Sequence, residues 1–536
     1  MRNRTEKGIT LLVGAVSLIF IVPLMGLVVD VGFLYATKSK LQASVDGAAL
    51  AAARGLSIGV GLSAQKVSAK NSAVNWFYSN FPNGRFGTTG TVMSTSNVTI
   101  AADANNAQLL DVTVSATTQV NTFFMKFLGF GTTTVGATGT ASRRTVVAML
   151  VLDRSGSMGV SCPDLINAAK LFTGQFAEGT DYIGAISFSD GSYLHSAPTQ
   201  NFQSTLGYIN SSGSGTGELD SITCSGGTAT PFAVSYAYNQ LYQTNLPGAL
   251  NILMIETDGL PNSLTVNFWD GSSAGVKSTS ACVDTHGKTM ASGGFNNAAA
   301  IPSWTTGLSF GSGSYFTNIP AGIVGDIYSN DPGGANDFVV MNGYYMPHQS
   351  GTPNFTPPKI TGSAANYCNF QSNPNAAYNY INDIGWVPTT DVFGNQLAPS
   401  SGAYQTGVTM TGSHVVANSW SAFHAGVLNT TDNAAYNARN NYGQAAGTGI
   451  GPVTVFTIAL GGNTGDQPDP ILLQRMANDP NGDTFNSPPM FNACSSEPTC
   501  ITYSSQPQGM LIYSSNRYQL SQAFQTISSQ ILRLSK

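Results

Sequence analysis

The sequence predicts an α/β protein: a doubly wound, mostly parallel sheet with a large insertion, preceded by a transmembrane helix and a small β-rich stem domain. Three observations predict it. From Val146 onward, short continuous apolar runs alternate with amphipathic helical segments. Near the N-terminus, one long apolar stretch carries no charge. Between the two, Val- and Thr-rich runs are broken by Gly and Asn turns.

Composition narrows the function classes. Of 536 residues 42% are hydrophobic, enough for a sizeable core, and only 9% are charged, against about 25% in ordinary soluble proteins. Polarity comes from Ser, Thr, Asn and 59 glycines instead. A net charge of −5 with no basic block beyond the extreme N-terminus argues against nucleic-acid binding. Six cysteines (Cys162, Cys224, Cys282, Cys368, Cys494 and Cys500) form no C-x-x-C pair and no Cys/His cluster at zinc spacing. Disulfides in an oxidising compartment fit that spacing, with Cys494 and Cys500 the simplest pair; six buried thiols are the alternative.

The elements follow in order. Residues 1–7 form a short tail with Arg2, Arg4 and Lys7. Residues 8–29, GITLLVGAVSLIFIVPLMGLVV, carry no charge, and at 1.5 Å per residue they extend about 33 Å, enough to cross a bilayer core. Pro23 is tolerable there. The basic tail keeps the N-terminus cytoplasmic and leaves everything past Asp30 outside. A cleaved signal peptide would have a shorter apolar core and a small-residue cleavage site; no A-x-A follows here, so an uncleaved anchor in the cytoplasmic (inner) membrane is expected, with the C-terminal bulk periplasmic or extracellular. Residues 30–56 continue the helical pattern: Leu34, Leu41, Val45, Ala48 and Ala52 share one face, which suits either packing against another helix or a plain stalk.

The segment EKGITLLVGAVSLIFIVPLMGLVVDVGFLYATKSKLQASVDGAALAAA resembles the N-terminal region of TadG-like proteins of Flp (tight-adherence) pilus assembly. The resemblance rests on a charged residue and Gly before the apolar run, then V-D-x-G, an aromatic, and L-Q-x-x-x-D-x-A-A-L-A-A-A. Glu6 precedes Gly8 instead of lying five residues into the apolar run, which does not fit pilin-type processing.

Residues 57–145 read as the β-rich stem, with a helix near Ala64 to Phe81 and strands in NVTIAADA, LLDVTVSATTQV and TTTVGATGTASR. Residues 146–262 open the α/β unit. VVAMLVL is a buried-type strand ending at Asp153, and Leu165, Ala169, Phe172 and Phe176 line a helical face after it. DYIGAISFS and NILMIET are further strands, with a helix from Pro231 to Tyr242 between them. Residues 431–536 complete the unit with VTVFTIAL, PILLQRMA, GMLIYSS and a last helix lined by Leu520, Phe524, Ile527 and Ile531. Residues 263–430 break the alternation without a strong helix pattern. They hold seven Asp, three Lys, no Glu or Arg, and four of the five tryptophans, Trp269, Trp304, Trp386 and Trp420. A structureless loop of that length is implausible; an inserted module is expected, either a Tyr-, Asn- and Ser-rich recognition surface or a passive β-rich cap.

Candidate chemistry gathers at strand ends, where open parallel sheets place ligands. Asp153, Ser155 and Ser157 form D-x-S-x-S after the first strand. Thr228 follows Gly226-Gly227 in a second loop, with Thr230 as competitor, and Asp258 follows the strand NILMIET in Thr257-Asp258-Gly259. Carboxylate and hydroxyl oxygens in this number suit a hard cation.

That set, in that order, resembles a von Willebrand factor type A domain with a metal-ion-dependent adhesion site. The resemblance implies that Asp153, Ser155, Ser157, Thr228 and Asp258 hold Mg2+, with Mn2+ or Ca2+ as alternatives, and that an Asp or Glu of a protein partner completes the shell. Pilus components or a host or surface ligand are the implied partners. Cys162 and Cys224 flank two of the three loops, and a disulfide between them is expected. Other signals are weaker. Asp479 to Asp483 and Asp331 to Asp337 look like calcium-loop fragments but lack the terminal Glu of an EF-hand and read as turns. His195, His286, His348, His414 and His424 are scattered, and neither G-x-S-x-G nor a P-loop occurs. Binding, not catalysis, is expected. The rivals are a structural minor pilin-like or scaffold component whose metal only stabilises the fold, and a hydrolase site in the insertion, which the scarcity of Glu opposes.

Overall fold

The computed structural model describes residues 5–57, 61–189, 192–268, 420–441, 449–462, 467–480 and 503–535, with shorter stretches at 323–329, 339–344, 387–391, 393–397, 404–405, 408–411, 414–416 and 483–484. Most of 263–430 and the Cys282, Cys368, Cys494 and Cys500 positions lie outside them. The chain divides into two compact units at Thr145/Val146.

The N-terminal unit is built on α1 (Thr5–Gly55), about 77 Å long at 1.5 Å per residue. Its first half is apolar and exposed, from Leu12 to Val31, and is long and apolar enough to cross a membrane. Its second half has a core-facing stripe: Leu41, Val45, Ala48 and Ala52 are fully buried, and Leu34 is partly so. Of the two expectations for that stripe, the packed one holds. It meets Ala69, Ala73 and Phe77 of α2 (Leu62–Asn80) and Val112, Val114 and Ala116 of an antiparallel sheet. The sheet comprises β1 (Thr89–Val92), β2 (Val98–Ala102), β3 (Leu109–Asn121) and β4 (Thr132–Arg144), with β1 and β2 on one side of β3 and β4 on the other. β3 and β4 pair without a break from Leu109↔Arg144 to Asn121↔Thr132, so residues 122–131 are a hairpin tip. Polar residues of α1 reach β4: Gln42 Nε2 donates to Thr138 O at 2.7 Å, and Lys38 Nζ to Gly136 O.

The C-terminal unit holds a seven-stranded sheet. Its strands are β5 (Val146–Asp153), β6 (Tyr182–Phe188), β7 (Ser192–Thr199), β8 (Leu250–Thr257), β9 (Thr454–Leu460), β10 (Asp483–Thr484) and β11 (Leu511–Ser514). The order is β10-β11-β9-β8-β5-β6-β7, parallel throughout except for the β6–β7 pair. Because side chains alternate, β5 feeds both faces. Val147, Met149 and Val151 join the core beneath α4 (Thr230–Thr244), α5 (Trp420–Arg439) and α6 (Pro470–Ala477). Ala148, Leu150 and Leu152 join that beneath α3 (Cys162–Thr173) and α7 (Leu520–Leu534). A sheet buried on both faces explains the unbroken apolar runs in the sequence.

Three features differ from the sequence expectation. The antiparallel edge strand β7, SYLHSAPT, has too mixed a pattern to read as a strand. α3 stops at Thr173 before Gly174, so Phe176 lies past the helix end, yet it is buried against Phe172 with ring centroids 4.8 Å apart. α5 starts at Trp420 and runs on through residue 430, so helix occupies the last part of the stretch that reads as insertion. Strands 263–268, 323–329 and 339–344 of that stretch form an antiparallel sheet.

Gly55 lets α1 and α2 cross closely: a Cβ there would lie 2.7 Å from Ala69 Cα. Gly55→Ala is therefore expected to destabilise the N-terminal unit by about 1–3 kcal/mol, read by denaturant unfolding in detergent. Gly32→Ala, which has open space around it, should leave the midpoint unchanged.

Candidate metal centre

The site forms where β5 and β8 run side by side to the same sheet edge. Their register pairs Glu256 with Leu152, which brings Thr257 beside Asp153 and Asp258 just past it. Asp153 is fully buried. Its Oδ1 accepts the Ser155 backbone N–H at 2.7 Å, and its Oδ2 accepts the Thr257 hydroxyl at 2.5 Å. The two serines of D-x-S-x-S turn back to the same spot: Ser155 Oγ and Ser157 Oγ are 2.9 Å apart. Asp258 Oδ1 accepts from Ser157 Oγ at 2.8 Å and from Ser155 Oγ at 3.4 Å.

The second loop is tied to both others through the backbone. Gly156 N–H donates to Gly226 O at 2.9 Å, and Ser225 N–H to Arg154 O at 2.8 Å. Thr228 N–H donates to Asn262 Oδ1 at 2.8 Å, while Asn262 N–H returns to Thr228 O at 3.0 Å. Thr228 is thus held between the loops of Ser155 and Asp258. Its competitor Thr230 opens α4, fully buried, with no hydrogen-bond partner for its hydroxyl among the described residues. Cys162, the first residue of α3, is disulfide-bonded to Cys224, joining the first and second loops covalently.

Burial first, then the neighbouring Asp258 charge, pushes the Asp153 carboxyl up to about 7, against the hydrogen bonds from Ser155 and Thr257. Two residues before Asp258, Glu256 shares its side of β8 with Ile252 and Met254. It is fully buried, and neither carboxyl oxygen meets a donor at hydrogen-bond geometry among the described residues. Burial, then the charges of Asp153 and Asp258, raise it well above the carboxylate range, against the Asp153 backbone. On the far side of β6, His195 Nε2 lies 2.8 Å from Ser187 Oγ. Burial first, then the Arg154 guanidinium, push its imidazole down to about 3, so His195 is neutral.

Among the described residues no group of three or more His, Cys, Asp and Glu side chains is placed to hold a metal ion. A cation here would draw on hydroxyls as well as carboxylates. The donor set fits a hard divalent ion: all-oxygen, with two carboxylates close enough that the Asp258 charge raises the proton affinity of Asp153. Sequence reasoning missed Thr257, Asn262 and Glu256. Thr257 and Asn262 flank Asp258 in the same short segment, and their own hydrogen-bonding side chains were the available signal.

Residues 148–260 match the von Willebrand factor type A domain, and the C-terminal unit carries that fold. Residues 8–55 match the Flp pilus-assembly TadE/G-like family. The chain therefore combines a TadE/G-like pilus-assembly region with a von Willebrand factor type A domain. No curated protein matches it. Among solved structures it is similar to the vWF domain of the type V pili tip protein Mfa5 from Porphyromonas gingivalis, at 14% identity over 74% of this chain and 98% of that one, TM-score 0.32. It is also similar to a variant of the PilB minor pilin from Streptococcus sanguinis (12%, 82% and 78%, TM-score 0.31) and to the pilus adhesin RrgA from Streptococcus pneumoniae (11%, 82% and 49%, TM-score 0.28).

Two outcomes follow. Asp153 keeps its proton in the folded state up to about pH 7, whereas an unfolded Asp releases it near ~4. Its stabilising contribution is complete below ~4 and is lost as pH rises toward 7. In chelator, thermal denaturation of the wild type should therefore lose stability over that window more steeply than Asp153→Asn. The disulfide closes 62 residues of sequence; replacing Cys162 and Cys224 with Ser should lower the unfolding free energy by roughly 2–4 kcal/mol, measured by chemical denaturation.

Proposed function

We propose that this is a membrane-anchored binding protein of the cell envelope, acting in Flp/Tad pilus assembly or surface adhesion. In this reading α1 crosses the cytoplasmic membrane with Arg2, Arg4 and Lys7 inside, and the bulk of the chain lies beyond it. Asp153, Ser155, Ser157, Thr228 and Asp258 hold Mg2+, or Mn2+ or Ca2+ in its place. The observation that carries the reading is the Ser155–Ser157–Asp258 hydrogen-bonded cluster beside the buried Asp153.

The chain's own groups each have a part. Ser155 and Ser157 are neutral donors whose lone pairs can turn toward a cation when their protons leave Asp258. Thr257 and the Ser155 amide hold Asp153 in place. A bound divalent ion would supply positive charge and an open position for an Asp or Glu of a protein partner. A cation held by Asp153 would displace the proton that its carboxyl keeps up to about pH 7, and in this reading the site binds and does not turn over substrate. The second reading, a scaffold whose metal only stabilises the fold, is favoured by one observation: Asp153 is fully buried.

Calorimetric titration of Mg2+ or Mn2+ into the purified protein should give at least about tenfold tighter binding, ~1.4 kcal/mol, for the wild type than for Asp153→Ala or Ser155→Ala. Equal affinity in all three removes the site. Pull-down from the native envelope separates the two readings: capture lost on chelation while the protein stays folded supports adhesion, and capture unchanged supports the scaffold.

A further inference from the structure

The tip of the β3–β4 hairpin has an unusual composition and position. Residues 122–131 read TFFMKFLGFG, and Phe123, Phe124, Phe127 and Phe130 are 54%, 40%, 79% and 60% exposed. Four phenylalanines facing outward on one ten-residue tip form an apolar patch that water disfavours.

The tip is firmly held. Asp30 of α1 accepts three successive backbone N–H groups, from Phe123 at 2.8 Å on Oδ1 and from Phe124 at 2.8 Å and Met125 at 2.7 Å on Oδ2. Within the tip, Phe127 N–H donates to Phe124 O, and Gly129 N–H to Lys126 O, while Phe130 N–H donates to Met125 O, each at 3.1 Å. Phe33 of α1 packs edge-on against Phe123, ring centroids 5.7 Å apart.

The tip is also fixed in depth along α1. Phe124, Met125 and Phe127 share an apolar cavity of about 330 Å3 with Val22, Pro23 and Leu27. Gly26 makes the approach possible, because a Cβ there would lie 2.3 Å from the Phe124 ring. Val22 is seven residues inside the end of the apolar run at Val29, which is about 10 Å along a helix axis. Any bilayer that takes up the run must therefore meet the tip at that depth.

We propose that the hairpin tip, residues 122–131, is a second membrane contact that dips its phenylalanines into the outer leaflet of the bilayer beside α1. The inference rests on α1 crossing the membrane. Lipid is the occupant because the exposed rings continue the exposed apolar surface of α1. The backbone is suited to entering the acyl boundary, since Asp30 and the bonds within the tip satisfy the amides of Phe123, Phe124, Met125, Phe127, Gly129 and Phe130. Lys126, at the tip, can extend its ammonium back to the headgroups. The two contacts together would fix the tilt and rotation of α1, and with them the direction in which the stem leaves the membrane.

The test uses the full chain reconstituted into phosphatidylethanolamine–phosphatidylglycerol vesicles, with a polarity-sensitive fluorophore on single introduced cysteines and the wild-type background subtracted. Leu18→Cys reports α1, Phe127→Cys the tip, and Asn105→Cys the exposed turn at the opposite end of the sheet. A spin label near the top of the acyl chain should quench the Phe127 probe several-fold more than the Asn105 probe, while aqueous iodide quenches it less. If the Leu18 probe is lipid-protected but the Phe127 probe behaves like Asn105, the tip proposal fails alone. If the Phe127 probe is reached by neither quencher, protein covers the tip and the proposal is overturned. If the Leu18 probe is open to iodide, the anchor reading fails and the tip proposal with it.

Discussion

The C-terminal unit is organised around two carboxylates forced together by strand register. β5 and β8 are adjacent and parallel, so residues ending their apolar runs must meet at one edge, and those residues are Asp153 and Asp258. A parallel sheet buried on both faces leaves them little water. Two like charges in such surroundings are unfavourable, and the local structure is a set of responses to that. Thr257 and the Ser155 amide hold one carboxylate, and the hydroxyls of Ser155 and Ser157 hold the other.

Those responses depend on loops that cannot drift. The Ser225–Thr228 segment has no regular structure of its own, yet its backbone is bonded to Arg154 and Gly156 on one side and to Asn262 on the other. The Cys162–Cys224 bridge ties the same loops through the start of α3. A site assembled from three loops needs this cross-bracing, because an oxygen cluster is useful to a cation only if its members keep their distances without one.

Much of this was legible from the residues. Continuous apolar runs identify β5, β6, β8 and β9 because burial on both faces erases alternation. The D-x-S-x-S, Gly-Gly-Thr and Thr-Asp-Gly segments stand at strand ends where their order and spacing carry meaning. The packing of α1 was half legible: the stripe from Leu41 to Ala52 was plain, but what it met was not. Strand β7 was hidden because an edge strand needs no apolar pattern. Glu256 was hidden for a different reason, since a single polar residue in an apolar strand gives no sign of which neighbours its burial will set against it. The hairpin tip lay between two readable strands, and its phenylalanines acquire meaning only once the fold places Phe124 and Phe127 beside Val22 and Leu27.

Aspartate is used in two ways, and the difference separates clamp from site. Asp30 accepts three backbone amides and Asp391 accepts those of Phe393 and Asn395. An amide N–H can only donate, so a carboxylate held wholly by amides locks a turn through partners that cannot themselves turn toward a cation. Asp258 is met by hydroxyls, and a hydroxyl can rotate to present a lone pair where it had presented a proton. A cluster of carboxylate and hydroxyl groups can therefore exchange internal hydrogen bonds for a cation without moving the backbone. The same side chain is thus a fastening at Asp30 and Asp391, whereas at Asp258 its hydroxyl partners leave the contact exchangeable, and the chemistry of its donors decides which.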